Sequence, residues 1–184
     1  MSIEDRDRWN KKYSTKDKID ETPINLVKYY HKLAHRGLAL DIACGKGRHS
    51  IFLAQNEFEV DALDISSKAL ESIKNIANIY PREVDFDNFK IIENSYDLIV
   101  CTYFLNRDIL DNIKKSLVNN GILIYETFIE DKDSSIEIQN PNFLLQKNEL
   151  KDKFNDLEII FYEEWWDKQG NKKTLKASLV ARKS

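Results

Sequence analysis

The chain has 184 residues, of which 42% are hydrophobic and 32% charged, with 28 Lys+Arg set against 31 Asp+Glu for a net charge of −3. That length suits one domain whose core needs no staples, and the slightly acidic balance disfavours nucleic acid as a partner. No apolar run reaches the roughly 18 residues of a membrane span, so no membrane partner is expected. The charged start MSIEDRDRWNKKYSTKDK is unlike a secretion signal. The two cysteines, Cys44 and Cys101, therefore read as reduced thiols of a cytoplasmic protein.

The first elements precede any sheet. Trp9 and Tyr13 stand four apart, on one face of a short helix. They either staple that helix to the core or cover a ligand. Thr22-Pro23 opens a helix over residues 23–35, stopped by Gly37. His31 and His35 share a face of it, but no third ligand accompanies them, so they read as solvated surface and no metal site is expected.

Residues 38–43 (LALDIA) form an apolar run broken by one Asp, the pattern of a strand buried on both faces. A helix follows over residues 48–56 and a second strand over 58–63, ending at Asp64. Ser66 or Ser67 caps a helix over 67–79, which Pro81 closes. Residues 84–91 supply a third strand, 96–101 a fourth and 121–128 a fifth, with a helix over 107–118 between the last two. Residues 130–142 are polar and loose, and 146–154 form a short helix. Residues 156–165 and 173–182 alternate around Lys168-Gln169-Gly170-Asn171 as an antiparallel hairpin.

Alternating strands and helices with right-handed crossovers give an α/β, doubly wound, Rossmann-like sheet of seven strands. The expected order is 3-2-1-4-5-7-6, with the last strand antiparallel. Ligands bind such sheets outside the carboxyl ends of the strands, at the switch point between strands 1 and 4. Cys44 and Cys101 end those two strands, which predicts sulfurs within reach of each other.

The run Asp41-Ile-Ala-Cys-Gly45-Lys-Gly47-Arg-His49 occupies that point. Gly45 and Gly47 allow a tight turn and close approach of a ligand to the backbone. The sequence is not a P-loop, and Ser50 stands where a dinucleotide fingerprint has its third glycine. Asp41 lies beneath the turn, where a carboxylate would repel a pyrophosphate. S-adenosylmethionine carries an ammonium and a sulfonium instead, so the same carboxylate attracts it. Asp64, ending the second strand, is placed to accept hydrogen bonds from ribose hydroxyls, or else caps the next helix.

The blocks LALDIACGKGRHS, VDALDIS, VDFDNF, YDLIVCTYFLNR and GILIYETF resemble class I S-adenosylmethionine-dependent methyltransferases. More narrowly, they are similar to the small tellurite-resistance (TehB-like) methyltransferase-domain proteins. The likeness covers about residues 9–164. It implies that Asp41, Ala43 and Gly45, with Gly47 in the same turn, line the methionine end of the cofactor. Asp64 and Ile65 hold and cover its ribose. Asp85 and Phe86 meet its adenine, although Asp87 competes with Asp85 for that role. Cys101 lines the floor, and Trp9 and Tyr13 cover the methionine moiety. The family often has glycine at the position of Ala43, so alanine requires a negative φ there.

The expected activity is methyl transfer from S-adenosylmethionine to a small-molecule acceptor by a single domain. Residues 1–36 form its helical cover and residues 37–184 its Rossmann-like core, as a monomer or weak homodimer. No obligatory base is legible. His49, Tyr103, Arg107 and Glu126 surround the expected mouth, and Arg107 is the group that would attract an anionic acceptor. Two alternatives share the fold: an NAD-dependent oxidoreductase and a non-catalytic S-adenosylmethionine-binding module.

Overall fold

The computed structural model describes residues 3–15, 22–136 and 140–184. Seven strands form one sheet: β1 (Leu38–Ile42), β2 (Glu59–Asp64), β3 (Ile79–Glu83), β4 (Tyr96–Thr102), β5 (Leu117–Phe128), β6 (Glu158–Gln169) and β7 (Lys172–Arg182). Their order is β3-β2-β1-β4-β5-β7-β6. The first five are parallel, and β7 runs antiparallel to both β5 and β6. Among the described residues six α-helices surround the sheet: α1 (Ile3–Thr15), α2 (Asn25–Tyr30), α3 (Arg48–Gln55), α4 (Ser67–Leu70), α5 (Leu110–Ser116) and α6 (Glu149–Lys153).

The central strands are apolar on both faces because both are covered. On β1, β4 and β5, Ala39, Leu98, Val100, Ile122 and Ile124 pack into one core cluster, while Leu40, Ile42, Ile99, Cys101, Leu123 and Tyr125 pack into another. Asp41 sits at 1% exposure on β1, in register with Val100 of β4 and Ala62 of β2. A carboxylate is thereby fixed in the middle of the sheet, at its ligand-binding end.

The structure corrects the reading between β2 and β4. The helix expected over 67–79 ends at Leu70, and the chain continues in turns with i→i−3 bonds such as Ile73 N–H to Leu70 O. Pro81 does not close that helix. It lies within β3, opposite Ala62 of β2. The sheet tolerates proline there because β3 is an edge strand, whose outward groups need no partner. Residues 84–91 are loop. Their apolar alternation arises because Val84, Phe86 and Ile91 turn into the core from irregular backbone.

One further expectation is revised. His31 is buried, not solvated: its Nδ1–H donates to Val27 O at 3.0 Å, and its ring lies edge-on to Phe52. His35 is exposed as expected. Cys44 and Cys101 are free thiols in different core clusters, Cys44 beside Leu70 and Ile73, Cys101 beside Leu105 and Tyr125. Burial pushes the Cys101 thiol up to about 12. Of the polar stretch 130–142, residues 137–139 lie outside the described residues.

Candidate cofactor site

A cavity of about 400 Å³ opens at the carboxyl ends of β1, β2 and β4, within the range of small-molecule sites. Trp9 and Tyr13 of α1, Ala43 and Gly45 of the bend, Asp64 and Ile65 at the end of β2, His49 of α3, and Tyr103 after β4 all line it. These are predicted site residues drawn together from five separate segments. Lys12, Lys46, Arg48, Thr102 and Phe104 also line it, and sequence reasoning did not select them. Arg48 and Lys46 lie inside the glycine motif, so adjacency to the bend was the available signal.

The bend has unusual backbone. Gly45 has φ +57° and Gly47 +78°, and Ala43 also takes a positive φ of +53°. Alanine therefore adopts the left-handed conformation that the negative-φ condition excluded, at a cost of about 1–2 kcal/mol. The neighbouring β-strands and Asp64 hold it there: Cys44 N–H donates to Leu63 O at 3.0 Å, and Gly45 N–H donates to Asp64 Oδ2 at 2.8 Å. A Cβ on Gly45 would sit 2.6 Å from the Tyr13 hydroxyl, so glycine is what lets α1 close over the bend. Gly47 does a different job. It enters α3 and packs on Ile73, which a Cβ would approach to 2.6 Å.

Two buried carboxylates underlie the cavity. Asp41 Oδ2 accepts from the Ser50 hydroxyl at 2.6 Å and from Ser50 N–H at 3.0 Å. Its Oδ1 is buried and lacks a hydrogen-bond partner among the described residues. Burial outweighs the Ser50 hydrogen bonds and raises the Asp41 pKa to about 7. Asp41 lies beneath the bend, and the cavity wall itself is made by Ala43, Cys44 and Gly45. Asp64 is on the wall. Its Oδ1 takes Ser66 N–H at 2.8 Å, and burial likewise raises its pKa, against the backbone hydrogen bonds from Ser66 and Gly45. Thus Asp64 does not cap the next helix. Ser66 does, accepting from Ala69 N–H at 3.2 Å.

The cover is an aromatic pair. Trp9 and Tyr13 stack at 5.7 Å, with Lys12 Nζ 4.0 Å from the Trp9 ring centroid. Asn10, between them, accepts from the Ser66 hydroxyl at 2.7 Å and so ties α1 to the end of β2. The staple and the cover are therefore one arrangement: the same helix that packs on the body walls the cavity.

Other predicted residues fall elsewhere. Asp85, partly exposed, accepts from Asp87 N–H and Asn88 Nδ2 within its own loop. Phe86 is buried against Phe104 and Phe89. Neither lines the cavity, and Asp87 belongs to a separate depression with Asp5, Asn106 and Arg107. Cys101 is fully buried below the floor. Arg107 does not line this cavity: its guanidinium clamps Glu149 at 2.6 and 2.9 Å and the carbonyls of Asn142 and Leu144 at 2.7 and 2.9 Å. His49 is buried on the wall, its ring nitrogens near Ile24 N–H and the Thr102 hydroxyl, each at 3.4 Å. Tyr103 and Glu126 are joined directly, the phenol donating to Glu126 Oε1 at 2.9 Å.

The strand order, the switch point between β1 and β4, and the acidic glycine bend define the class: a Rossmann-like domain of the class I methyltransferase type. The chain belongs to the family described as tellurite resistance protein TehB, whose model matches residues 1–178. It is 30% identical over 162 residues to a probable S-adenosyl-L-methionine-dependent methyltransferase TehB of Haemophilus influenzae, spanning 78% of this chain and 56% of that one. It is also 32% identical over 133 residues to a ribosomal protein L11 methyltransferase of Campylobacter concisus, spanning 64% of this chain and 47% of the relative. The crystal structure of TehB from Haemophilus influenzae superposes with a TM-score of 0.75 at 26% identity, covering 97% of this chain and 67% of that one. The chain thus spans about half the length of the curated relatives it matches. Among the described residues no helix is long and apolar enough to cross a membrane.

Proposed function

We propose that this chain binds S-adenosylmethionine in the cavity above the glycine bend and transfers its methyl group to a small-molecule acceptor. The observation that carries this reading is the electrostatics of the bend. Two buried carboxylates lie under a turn whose alternate residues are left-handed, and one carboxylate oxygen has no donor. A dinucleotide would bring two phosphates against them, whereas a sulfonium amino acid brings positive charge.

The residues fit that group. Asp64 would accept the ribose hydroxyls, Ile65 would pack on the ribose, and the backbone of Ala43–Gly45 would meet the amino-acid end. Asp41 would act from below, the bound cation favouring the ionised form of its carboxyl. When bound, S-adenosylmethionine supplies a methyl carbon already activated by its sulfonium. The protein's own part is positioning and exclusion of water. Trp9 and Tyr13 close the cavity, Tyr103 and Phe104 wall its far side, and His49 is held by Thr102. The small volume and the aromatic cover support a small acceptor over a folded macromolecule such as the ribosomal protein that names one relative.

Titration calorimetry with S-adenosylhomocysteine and with NAD tests the reading. Uptake of the former and none of the latter is expected. The reverse result, or binding of neither, would sink it.

A further inference from the structure

A second group of buried polar side chains lies at the same end of the sheet, behind the cavity wall. Tyr103 is its partly exposed member and lines the cavity. Its hydroxyl donates to Glu126 Oε1 on β5 at 2.9 Å and accepts from Lys176 Nζ on β7 at 3.2 Å. Glu126 is 4% exposed, and its Oε2 accepts from the Ser178 hydroxyl at 2.7 Å. Ser178 in turn accepts from Trp165 Nε1 at 2.9 Å. Lys176 is 6% exposed and is bridged to Asp167 of β6 at 2.7 Å. Its ammonium lies 4.9 Å from the Tyr103 ring centroid and 5.2 Å from that of Trp165. Arg48 of α3, on the cavity wall, lies 5.2 Å from the same Tyr103 ring.

Three features set this group apart from ordinary core packing. Tyr103 holds a positive φ of +57°, a conformation that bulky residues avoid and that persists where surrounding structure enforces it. Here the Tyr103 N–H bond to Glu126 O at 2.8 Å pins it, so one residue fixes both its backbone and its hydroxyl. Secondly, the phenol oxygen lies between a carboxylate, Glu126, that accepts its proton and an ammonium, Lys176, that donates to it. Thirdly, a phenol oxygen has two lone pairs. Lys176 uses one, and the other remains for a donor arriving from the cavity.

We propose, resting on the methyl-transfer reading above, that Tyr103 is a catalytic residue for a protic acceptor, an O–H or S–H nucleophile. The acceptor's proton passes to Tyr103 Oη as the phenolic proton passes to Glu126 Oε1. The acceptor atom keeps the electron pair, and Glu126 ends as a neutral carboxyl. Charge is conserved, since one carboxylate is neutralised as one acceptor anion forms. Glu126 and Lys176 are positioning residues: one receives the relayed proton, and the other holds the phenol oxygen.

Two measurements test this. With no ligand, protein carrying [ζ-¹³C]tyrosine reports the Tyr103 resonance, assigned by its disappearance in Tyr103→Phe. The charged groups facing that ring are Glu126, Lys176, Asp167 behind Lys176, and Arg48. Glu126→Gln is expected to move the Tyr103 titration to lower pH, and Lys176→Met to higher pH. An unmoved midpoint in Glu126→Gln overturns the coupling.

The second measurement follows methyl release from labelled S-adenosylmethionine with two probe acceptors: an alkanethiol, protonated at neutral pH, and a nitrothiophenolate, already ionised. Glu126→Gln is expected to lower the ratio of kcat for the alkanethiol to kcat for the nitrothiophenolate about 100-fold, with KM for both moved less than about threefold. Glu126→Asp should restore part of the ratio. A ratio equal to that of the wild type overturns the relay, whatever the overall loss. Wild-type protein that binds S-adenosylhomocysteine yet methylates neither thiol overturns the protic acceptor and leaves the cofactor reading standing. Failure to bind S-adenosylhomocysteine overturns both.

Discussion

Two buried acidic clusters sit at one end of the same sheet, and they are solved differently. Under the glycine bend, Asp41 and Asp64 take hydrogen bonds from Ser50 and from backbone N–H groups, and burial raises both pKa values. Behind Tyr103, Glu126 and Asp167 share an ammonium, Lys176. Burial alone would lower the Lys176 pKa, but Asp167, Tyr103 and Glu126 outweigh it and the pKa ends raised. The first cluster is electrically unfinished and suits an incoming cation. The second is nearly balanced within the protein and suits moving a proton. On the proposed reading, cofactor binding falls to the β1–β2 side of the cleft and acceptor chemistry to the β4–β7 side.

The comparison breaks most visibly at Lys176. Lys176→Met strands Asp167 and Glu126 without their cation, and a loss of about 3 kcal/mol is expected in denaturant unfolding. Adding Asp167→Asn should recover a good part of it. If Lys176→Met is neutral, the second cluster is not held by its ion pair.

Asp41 sharpens the other side. Its native pKa near 7 stands above the ordinary 3.8, so between those values the folded state holds a proton that the unfolded chain has released. Stability from this group is therefore present at low pH and is lost as pH rises from about 4 to about 7. Asp41→Asn, which keeps an oxygen for Ser50, should flatten that slope and raise stability at pH 8 by about 2 kcal/mol. Thermal unfolding across the pH range checks this. The affinity for S-adenosylmethionine should rise with pH over the same interval in the wild type and not in the variant, because a cation favours the ionised carboxyl.

Smaller effects follow at the wall. Asp64→Asn keeps only one carbonyl oxygen where two carboxylate oxygens now serve Gly45 and Ser66. A tenfold weaker uptake of S-adenosylhomocysteine, about 1.4 kcal/mol by calorimetry, is expected. Ala43→Gly relieves a left-handed alanine, and a gain of about 1 kcal/mol in unfolding free energy is expected. A loss would mean that the alanine methyl contributes packing worth more than the strain.

Much of the cofactor side was legible because it is local. Asp41, Gly45 and Gly47 lie within seven consecutive residues, and a strand followed by a tight turn and a helix places such residues together whatever else the chain does. Asp64 was legible because the end of β2 must lie beside the end of β1 in a parallel sheet. The third strand was not. Pro81 reads as a terminator unless its strand is known to be an edge, and edge position is a property of the assembled sheet. Lys176 was hidden for a similar reason. It sits in an apolar run, Leu175–Ala181, with one charge whose partners come from the turn after β4, from β5 and from β6.

The amino-acid order by itself determined the sheet topology, the glycine bend and its acidic companions, because hydrophobic period, crossover handedness and turn chemistry act over short stretches. Folding alone decided that Ala43 would be left-handed, that Arg107 would be consumed by Glu149, and that Tyr103, Glu126 and Lys176 would meet. The last two outcomes depend on side chains 23 to 73 positions apart, and only the packed sheet brings such distant groups to one place.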